Sequence, residues 1–455
     1  MFKRSTWGLG ALTATMAFAI ASFSALPATA QSASTATSTP QPTATAVVVD
    51  SGSGATKLNY WNGLTGGDGD VMQSLVNNFV KANPKIAVHT EEYVWDTMFQ
   101  KLQASFVAGN PPDVFVLHIS ELSQFATLGI LAPSDDLYDT NGGPIPMKDF
   151  DPKQLAQTVV DGKHYGVLFD NHGFGTWVNL NLFKTANVDP ATPYPTTGDA
   201  FIKLAQSLTL DKNGKHPTDS GFDANNIVQY GTGIDWARVQ FESWLFQFGG
   251  SVISADGKKA TVNSEAGQQA LQFMYDMIYK YHVAPDPSKT NGYNAFQAGQ
   301  IAIMPSGTWF RGVLVVQHPE IKWEAWPMIQ VGPNPGTWMN SHMLFIASSL
   351  SGDKLAAAKT FVSWMSANSG GWAEAGHVPA RISVQGNLDP TKYSSNIVFG
   401  KGFLDAGHFE PQNNNITELT NAYDPEITAA LNGQKSVKQA LDDGAAAMQA
   451  VLDRQ

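Results

Sequence analysis

The sequence predicts an α/β protein, because strand-like and helix-like patterns alternate along its first folded part. Residues 57–84 have the pattern of a short strand, a glycine-rich loop and a helix whose apolar residues share one face. Residues 86–93 have the pattern of a second strand, and residues 95–108 that of a second helix. Residues 113–118 (DVFVLH) form a near-continuous apolar run, which is typical of a strand covered on both faces. This alternation favours a mainly parallel sheet flanked by helices.

The first helix is the best-defined element of the prediction. Its apolar residues recur at the spacing of one helical face: Val71, Met72, Leu75, Val76, Phe79 and Val80. Asn83-Pro84 ends it, because proline disfavours a helical residue before it. The second helix ends in the same way, at the turn-forming sequence 109–112 (GNPP).

The rest of the chain continues the alternation. Further helices are predicted at 120–128, 198–208, 237–248, 264–281, 352–367 and 436–452. Further strands are predicted at 165–170, 300–309 and 338–347, and residues 132–163 are predicted to be irregular.

The N-terminus has the pattern of an export signal. A positively charged start, an apolar stretch over 7–26 and the small residues Ala28-Thr29-Ala30 predict a cleaved signal peptide over 1–30. A membrane span is the competing interpretation, but Ser, Thr and Gly interrupt the apolar stretch. Residues 31–56 are rich in Ser, Thr, Ala, Pro and Gly, so they are predicted to be a disordered linker.

Charge and cysteine content narrow the function classes. The formal net charge of −11 argues against nucleic acid or an anionic membrane surface as the partner. The absence of cysteine excludes disulfides, thiolate metal sites and a lipid-modified N-terminal cysteine. An exported protein, periplasmic or extracellular, is the resulting expectation.

The glycine-rich loop after the first strand does not match a phosphate site. Its glycines stand at 63, 66, 67 and 69, which fits neither the P-loop nor the dinucleotide spacing. Asp68 and Asp70 add negative charge where a bound anion would sit. A neutral, hydroxyl-rich ligand fits this loop better, and a tight turn with the two aspartates capping the helix is the structural alternative.

Six stretches in order give the chain a family resemblance: NYWNGLTGGDGDVMQSLVNNF, AGNPPDVFVLH, GVLFDNHGFGTWVNLNLF, YPTTGDAFIKLAQSLT, FQAGQIAIMPSGTWF and GHVPARISV. Together they resemble the extracellular solute-binding proteins of ABC importers, in the carbohydrate-binding group similar to maltose-binding protein. The resemblance covers essentially all of 57–455.

The resemblance implies a type II periplasmic-binding-protein fold, with two α/β lobes joined by a hinge and a ligand in the cleft between them. Lobe one is expected to hold 57–168 and 305–340, and lobe two 169–304 and 341–455. The implied function is to bind a sugar or oligosaccharide and deliver it to a membrane permease. The protein is expected to act as a monomer with no catalytic chemistry and no cofactor.

Aromatic residues supply the first candidates for the site. The chain has 12 Trp, 12 Tyr and 25 Phe, and a tryptophan face covers the apolar C–H face of a sugar ring. Trp309 matches the family's G-x-W, in which the resemblance implies stacking on sugar. Trp236 falls where relatives place a cleft aromatic, and Trp338 lies near the expected return through the hinge. Trp244 and Trp364 are predicted to fill core.

Polar candidates follow the ends of predicted strands, where open α/β folds place ligands. They are Asn62, Thr65, His118, Asp170, His172, His342 and His377. A neutral histidine both donates and accepts, which suits a hydroxyl, although a lone histidine is more often structural. The ten histidines are scattered and none stands four residues from another, so no helical metal pair is predicted.

Two other functions stay open. An exported glycoside hydrolase needs only two suitably spaced carboxylates, a distance that a sequence does not give, although no G-x-S-x-G or H-E-x-x-H motif is present. A binder of a glycerophosphodiester or polyol calls for basic groups in the cleft, and Arg311 is the cation expected near it.

Overall fold

The computed structural model describes residues 46–454, and the predicted signal peptide at 1–30 lies outside this range. Within it the α/β class is confirmed. None of the helices in the described range combines the length and apolarity that a membrane span requires.

The strands of the described range are, in chain order, β1 Val47–Ser51, β2 Thr56–Asn62, β3 Ile86–Glu92, β4 Val114–His118, β5 Val159–Val160, β6 Lys163–His164, β7 Val167–Leu168, β8 Asp170–Asn179, β9 Leu210–Asp211, β10 Ile227–Thr232, β11 Ile301–Gly307, β12 Trp323–Trp326, β13 Thr337–Asn340, β14 His342–Ile346, β15 Val378–Pro379 and β16 Gly407–Phe409.

The α-helices are α1 Gly69–Ala82, α2 Trp95–Val107, α3 Leu122–Thr127, α4 Pro152–Ala156, α5 Leu180–Thr185, α6 Gly198–Leu208, α7 Ala237–Gln247, α8 Glu265–Tyr279, α9 Gly292–Gln297, α10 Phe310–Val316, α11 Gly352–Ala367, α12 Ile382–Gln385, α13 Ser394–Ala406, α14 Ile416–Leu431 and α15 Val437–Leu452.

The first sheet has the strand order β1-β3-β2-β4-β14-β7. Strand β2 runs parallel to β3 and β4, whereas β1, β14 and β7 pair antiparallel to their neighbours. The predicted disordered linker is wrong over its described end, because Val47 to Ser51 pair with β3 as an edge strand. Helices α1, α2 and α11 bury their apolar faces against this sheet.

The second sheet is organised around β8, whose ten residues are all buried. Its strand order is β16-β13-β8-β11-β10-β9, with β12 and β15 also pairing with β8. All four partners of β8 run antiparallel to it, so the expectation of a mainly parallel sheet is wrong here and the sheet is mixed. Helices α6, α7, α8, α14 and α15 cover it and share a separate hydrophobic core, which includes Trp244 as predicted.

The chain passes between the two sheets at three places. The first crossing joins β7 to β8 at Phe169, and the second joins β13 to β14 at Ser341. The third runs through β15, which pairs with the start of β8. Backbone hydrogen bonds join the three crossings. The N–H of Phe169 donates to the carbonyl of His342, and the carbonyl of Phe169 accepts from the N–H of Ala380.

The crossings change two expectations. The predicted strand over 338–347 is two strands that belong to different sheets, because the chain changes sheet at Ser341. Strands β12 and β13 pair with β8 in the second sheet, so residues 305–340 do not join the first sheet as expected. Residues 342–367, expected in lobe two, instead pack on the first sheet as β14 and α11.

Candidate functional site

Asp170 lies at the centre of the candidate site. It is the first residue of β8, at the first crossing, and it is fully buried. Its carboxylate accepts four hydrogen bonds, from Nδ1 of His172 at 3.0 Å, Nδ1 of His342 at 2.7 Å, the backbone N–H of His342 at 3.0 Å and Nε1 of Trp372 at 2.5 Å. Burial alone would raise the pKa of Asp170, but the neighbouring His342 and His172 hold it well below its usual value.

Four histidines that are far apart in the sequence meet around Asp170. The rings of His172 and His342 stack with 4.1 Å between centroids, and His377 lies 5.6 Å and 5.2 Å from them. His118 lies 5.5 Å from His172 and 5.0 Å from His342. Burial is the largest cause that lowers the pKa of His172 and of His342, so both rings are neutral near pH 7 and donate Nδ1–H to the carboxylate.

One ligand-type atom from each of Asp170, His172, His342 and His377 lies within 4.8 Å of all the others. Each of these residues is at most 4% exposed. We call these four residues the crossing cluster, because one or more of them comes from every passage of the chain between the sheets.

His118 has a different partner and a different charge state. Its Nδ1 lies 3.1 Å from Oε2 of the buried Glu121. Burial would lower the pKa of His118, but Glu121 outweighs that effect and raises it. His118 therefore brings a charge-paired donor to the edge of the cluster, beside the neutral rings of His172 and His342.

Trp95 lies among these histidines, and the sequence prediction does not name it as a candidate. Its ring lies 4.2 Å from that of His118 and stacks on His342 at 5.6 Å. A side chain at Gly63 would come within 2.2 Å of this ring, so the backbone of the glycine-rich loop lies directly on the indole. The glycine at position 63 was the available signal, because it marks a close approach of backbone to another group.

Two of the three predicted indoles lie near the cluster, and the third contacts one of them. The half-buried ring of Trp309 lies 6.2 Å from His172, and Trp338 lies 5.9 Å from it. Trp236 is 56% exposed and lies 5.2 Å from Trp309, at a backbone φ of 42° that non-glycine residues rarely adopt. Trp338 is almost fully buried in the core of the second sheet, yet its Nε1 has no hydrogen-bond partner among the described residues.

The glycine-rich loop reaches the cluster through a residue that was not a candidate. The Oδ2 of Asp68 lies 3.7 Å from Nε2 of His377, while its Oδ1 accepts from the N–H of Gly66. The side chain of Asp68 forms no capping bond to α1, so the alternative of helix capping by this residue is wrong. The candidate Asn62 is buried and accepts from the N–H of Leu64, and the candidate Thr65 is exposed. Both stay predictions as ligand contacts.

The arginine expected near the cleft is engaged elsewhere. Arg311 is 3% exposed and donates to the backbone carbonyls of Glu374 and Lys392. Asp235, between β10 and α7, accepts from Oγ of Ser306 at 2.6 Å, and burial raises its pKa to about 6.

The chain resembles known binding proteins over most of its length. Residues 62–372 match the profile of the family described as bacterial extracellular solute-binding protein. A curated relative, the arabinooligosaccharide-binding protein of Halalkalibacterium halodurans, is 22% identical over 60% of this chain. The chain spans 58% of the length of that relative.

Two solved structures share the fold over 88% of this chain and over 99% and 100% of their own length. The ABC substrate-binding protein Lmo0181 of Listeria monocytogenes, in complex with cycloalternan, has a TM-score of 0.73 at 22% identity. UgpB of Mycobacterium tuberculosis, in complex with glycerophosphocholine, has a TM-score of 0.73 at 19% identity.

Proposed function

Because the chain belongs to the family of bacterial extracellular solute-binding proteins, we propose that it binds a sugar or oligosaccharide between its two sheets and delivers it to the permease of an ABC importer. The observation that carries the proposal is the meeting of indoles and neutral histidines at the crossings between the sheets. Flat indoles suit the C–H faces of a sugar ring, and neutral imidazoles suit its hydroxyls.

The energetics support a sugar ligand. Burying an aromatic ring of this size removes on the order of 150–250 Å² from water, which is worth roughly 4–6 kcal/mol before ordering costs. Micromolar binding needs about 8 kcal/mol. Two stacked rings together with hydrogen bonds to the sugar hydroxyls are therefore sufficient for micromolar binding.

Residues from both sheets line the proposed site. Trp95, His118 and Asp68 belong to the part of the chain that packs on the first sheet, and Trp236 and Trp309 belong to the second. A ligand shifts a two-state equilibrium only through contacts that differ between the states. A sugar that touches both groups of residues therefore favours a closed arrangement, and the closed form is the one we propose to dock on the permease.

The charge arrangement favours a neutral ligand over a phosphodiester. UgpB was solved with glycerophosphocholine, and a phosphodiester needs cationic partners. In this chain Arg311 donates to backbone carbonyls instead, and the carboxylate of Asp68 lies 3.7 Å from Nε2 of His377 in the crossing cluster. The family is an extracellular one, and we propose that residues 1–30 direct export and are then cleaved.

The test is a thermal-shift screen of the purified chain against mono- and oligosaccharides, with glycerophosphocholine as a comparison ligand. A true ligand at about a hundred times its Kd stabilises the folded state by roughly 2.7 kcal/mol. Stabilisation by a sugar, recovered intact after incubation, supports the proposal. Stabilisation by glycerophosphocholine alone, or release of shorter sugars, contradicts it.

A further inference from the structure

The crossing cluster takes its residues from all three passages between the sheets. Asp170 and His172 begin β8 just after the first crossing, and His342 begins β14 just after the second. His377 directly precedes β15, which forms the third. The histidines are separated by tens of residues or more in the sequence, so their spacing does not indicate a shared site. The topology brings them together.

We propose that the crossing cluster binds one divalent transition-metal ion, and that Zn²⁺ fits its donor set best. Three imidazole nitrogens and one carboxylate oxygen are ligand types that Zn²⁺ takes in a four-coordinate site. Zinc–ligand bonds of 2.0–2.2 Å place tetrahedral donor atoms about 3.4 Å apart.

The distances from the Asp170 oxygens to the three imidazoles lie on both sides of this tetrahedral separation. Asp170 oxygens lie 3.0 Å from Nδ1 of His172, 2.7 Å from Nδ1 of His342 and 3.9 Å from Nδ1 of His377. The first distance is to Oδ1 of Asp170 and the other two are to Oδ2, and all four ligand-type atoms lie within 4.8 Å of one another, so the side chains must shift to bring four donors around one ion.

The carboxylate has the surroundings of a metal ligand. Trp372 Nε1 donates to Oδ2 of Asp170, and the backbone N–H of His342 donates to Oδ1. A carboxylate has about four lone-pair sites, so these two donors leave one on each oxygen, and the imidazoles face those two. Such outer donors orient ligating carboxylates in metal sites.

His377 gives an independent indication. It is 1% exposed, its Nδ1 lies 3.2 Å from Oγ1 of Thr308, a contact that a metal on Nδ1 would replace, and its Nε2 forms no hydrogen bond within the described residues. The nearest acidic atom to that nitrogen is Oδ2 of Asp68, at 3.7 Å. If Nδ1 binds a metal, Nε2 carries the proton and points it toward a carboxylate, which is the usual arrangement for a metal-bound histidine.

A metal here would hold the three crossings together. It would also remove the Nδ1 protons that Asp170 accepts in the metal-free network, because ligands bind metals in their deprotonated form. The metal would take Nδ1 of His172 and His342, the histidines that the proposed function assigns to sugar hydroxyls, and would leave the Nε2–H of each as the donor to a sugar. Metal binding and sugar binding are therefore compatible, and they are measured separately.

The test is metal stoichiometry on the full chain, purified without a histidine tag and stripped with a chelator. After incubation with Zn²⁺ and dialysis, we expect about one zinc per chain by elemental analysis, and a rise in melting temperature with Zn²⁺. Substituted Co²⁺ should give the intense visible absorption of a four-coordinate N/O site.

Two double variants separate the cluster from other histidines. His342→Gln/His377→Gln should weaken Zn²⁺ binding at least about 100-fold. The matched variant His216→Gln/His318→Gln loses two histidines that bond outside the cluster, and it should bind as the parent does.

Less than about 0.1 zinc per parent chain would overturn the proposal, as would equal zinc binding by the two double variants. If the cluster variant does not fold, the parent's stoichiometry and its Co²⁺ spectrum still decide. If the parent chain binds a sugar but does not bind zinc, the metal site fails while the proposed function stands.

Discussion

At the scale of single residues, the position of Trp309 is set by the glycine two places before it. A Cβ at Gly307 would lie 2.1 Å from the indole, so the ring lies flat against backbone that only glycine leaves uncovered. The G-x-W pattern in the sequence therefore has a steric cause. Gly63 leaves the same kind of space for the ring of Trp95. The sequence prediction does not use this relation, because it treats position 95 only as the start of a helix.

Replacing Trp309 with Ala should weaken binding of the ligand found in the screen by at least about tenfold, because one stacked face is lost. Titration calorimetry measures the affinity, and circular dichroism checks the fold. The control is Trp364→Ala, which removes an indole that is also half-buried but packs on Phe79 of the first sheet's core. That variant should lose stability and keep its affinity, and equal affinity losses in both would remove Trp309 from the site.

Asp235 should make the chain less stable at neutral pH than at acidic pH. Its pKa is about 6 in the folded state against an ordinary value of 3.8, because burial disfavours the charge. Between about pH 4 and 6 the folded chain holds a proton that the unfolded chain has lost, so this group's contribution to the unfolding free energy falls as the pH rises.

Asp235→Asn keeps an acceptor for Ser306 and removes the charge. We expect its melting temperature to exceed that of the parent at pH 7.5 by on the order of 1–3 °C. The difference should vanish near pH 4, where the aspartic acid is neutral as well. A variant that is less stable than the parent at pH 7.5 would show that the charged form is favoured in the fold.

At the scale of elements, amphipathic helices were predictable and glycine-rich ones were not. Helices α6 and α11 have the predicted bounds, because the buried residues of each recur at helical spacing, although those of α11 begin only at Ala357. Strand β8 was recognised only at its first residue, since Gly173 and Gly175 break its apolar pattern. Those glycines make room for the rings of Phe403 and Phe399 from α13. Helix α13 therefore supplies the apolar side chains that β8 lacks at these two positions.

Helices α13 and α14 were missed for related reasons. Gly400 and Gly402 lie inside α13, and Pro425 lies inside α14. Intrinsic propensity argues against a helix at such positions. Packing against the second sheet outweighs it, and a single sequence does not show that packing.

Arg238 should matter for stability because it joins two elements through buried charges. Its guanidinium donates to Glu242 in α7 at 2.6 Å and to Glu410 after β16 at 2.7 Å, and both carboxylates are at least nine-tenths buried. Arg238→Met leaves them unpaired and should lower the unfolding free energy by about 3–5 kcal/mol.

Chemical denaturation measures this loss. The control, Lys401→Met, breaks an exposed pair with Asp405 within α13 and should change stability by less than about 1 kcal/mol. A loss that small for Arg238→Met would mean that the two carboxylates take up protons at little cost.

At the scale of the whole molecule, the sequence predicts two bodies but not how the chain is shared between them. The strand ends that it identifies do meet, because His118, Asp170, His172 and His342 lie together at the junction of the sheets, and their role as ligand contacts stays a prediction. The change of sheet at Ser341 is not visible in the sequence, because the apolar run continues through it. Pairing partners, rather than local pattern, decide which sheet each strand joins.

The three crossings predict that ligand binding changes the shape of the molecule. Within residues 46–454, the segments at Phe169, Ser341 and β15 link the sheets covalently. A ligand held, as we propose, by Trp95 on one side and Trp309 on the other would favour the approach of the sheets. Small-angle scattering of the chain without 1–45 should show a smaller radius of gyration with saturating ligand than without it. A sugar that gives no thermal shift is the control and should leave the radius unchanged. An equal radius at confirmed full occupancy would mean that the two sheets form one rigid body, and that the permease must recognise the ligand-bound form by something other than closure.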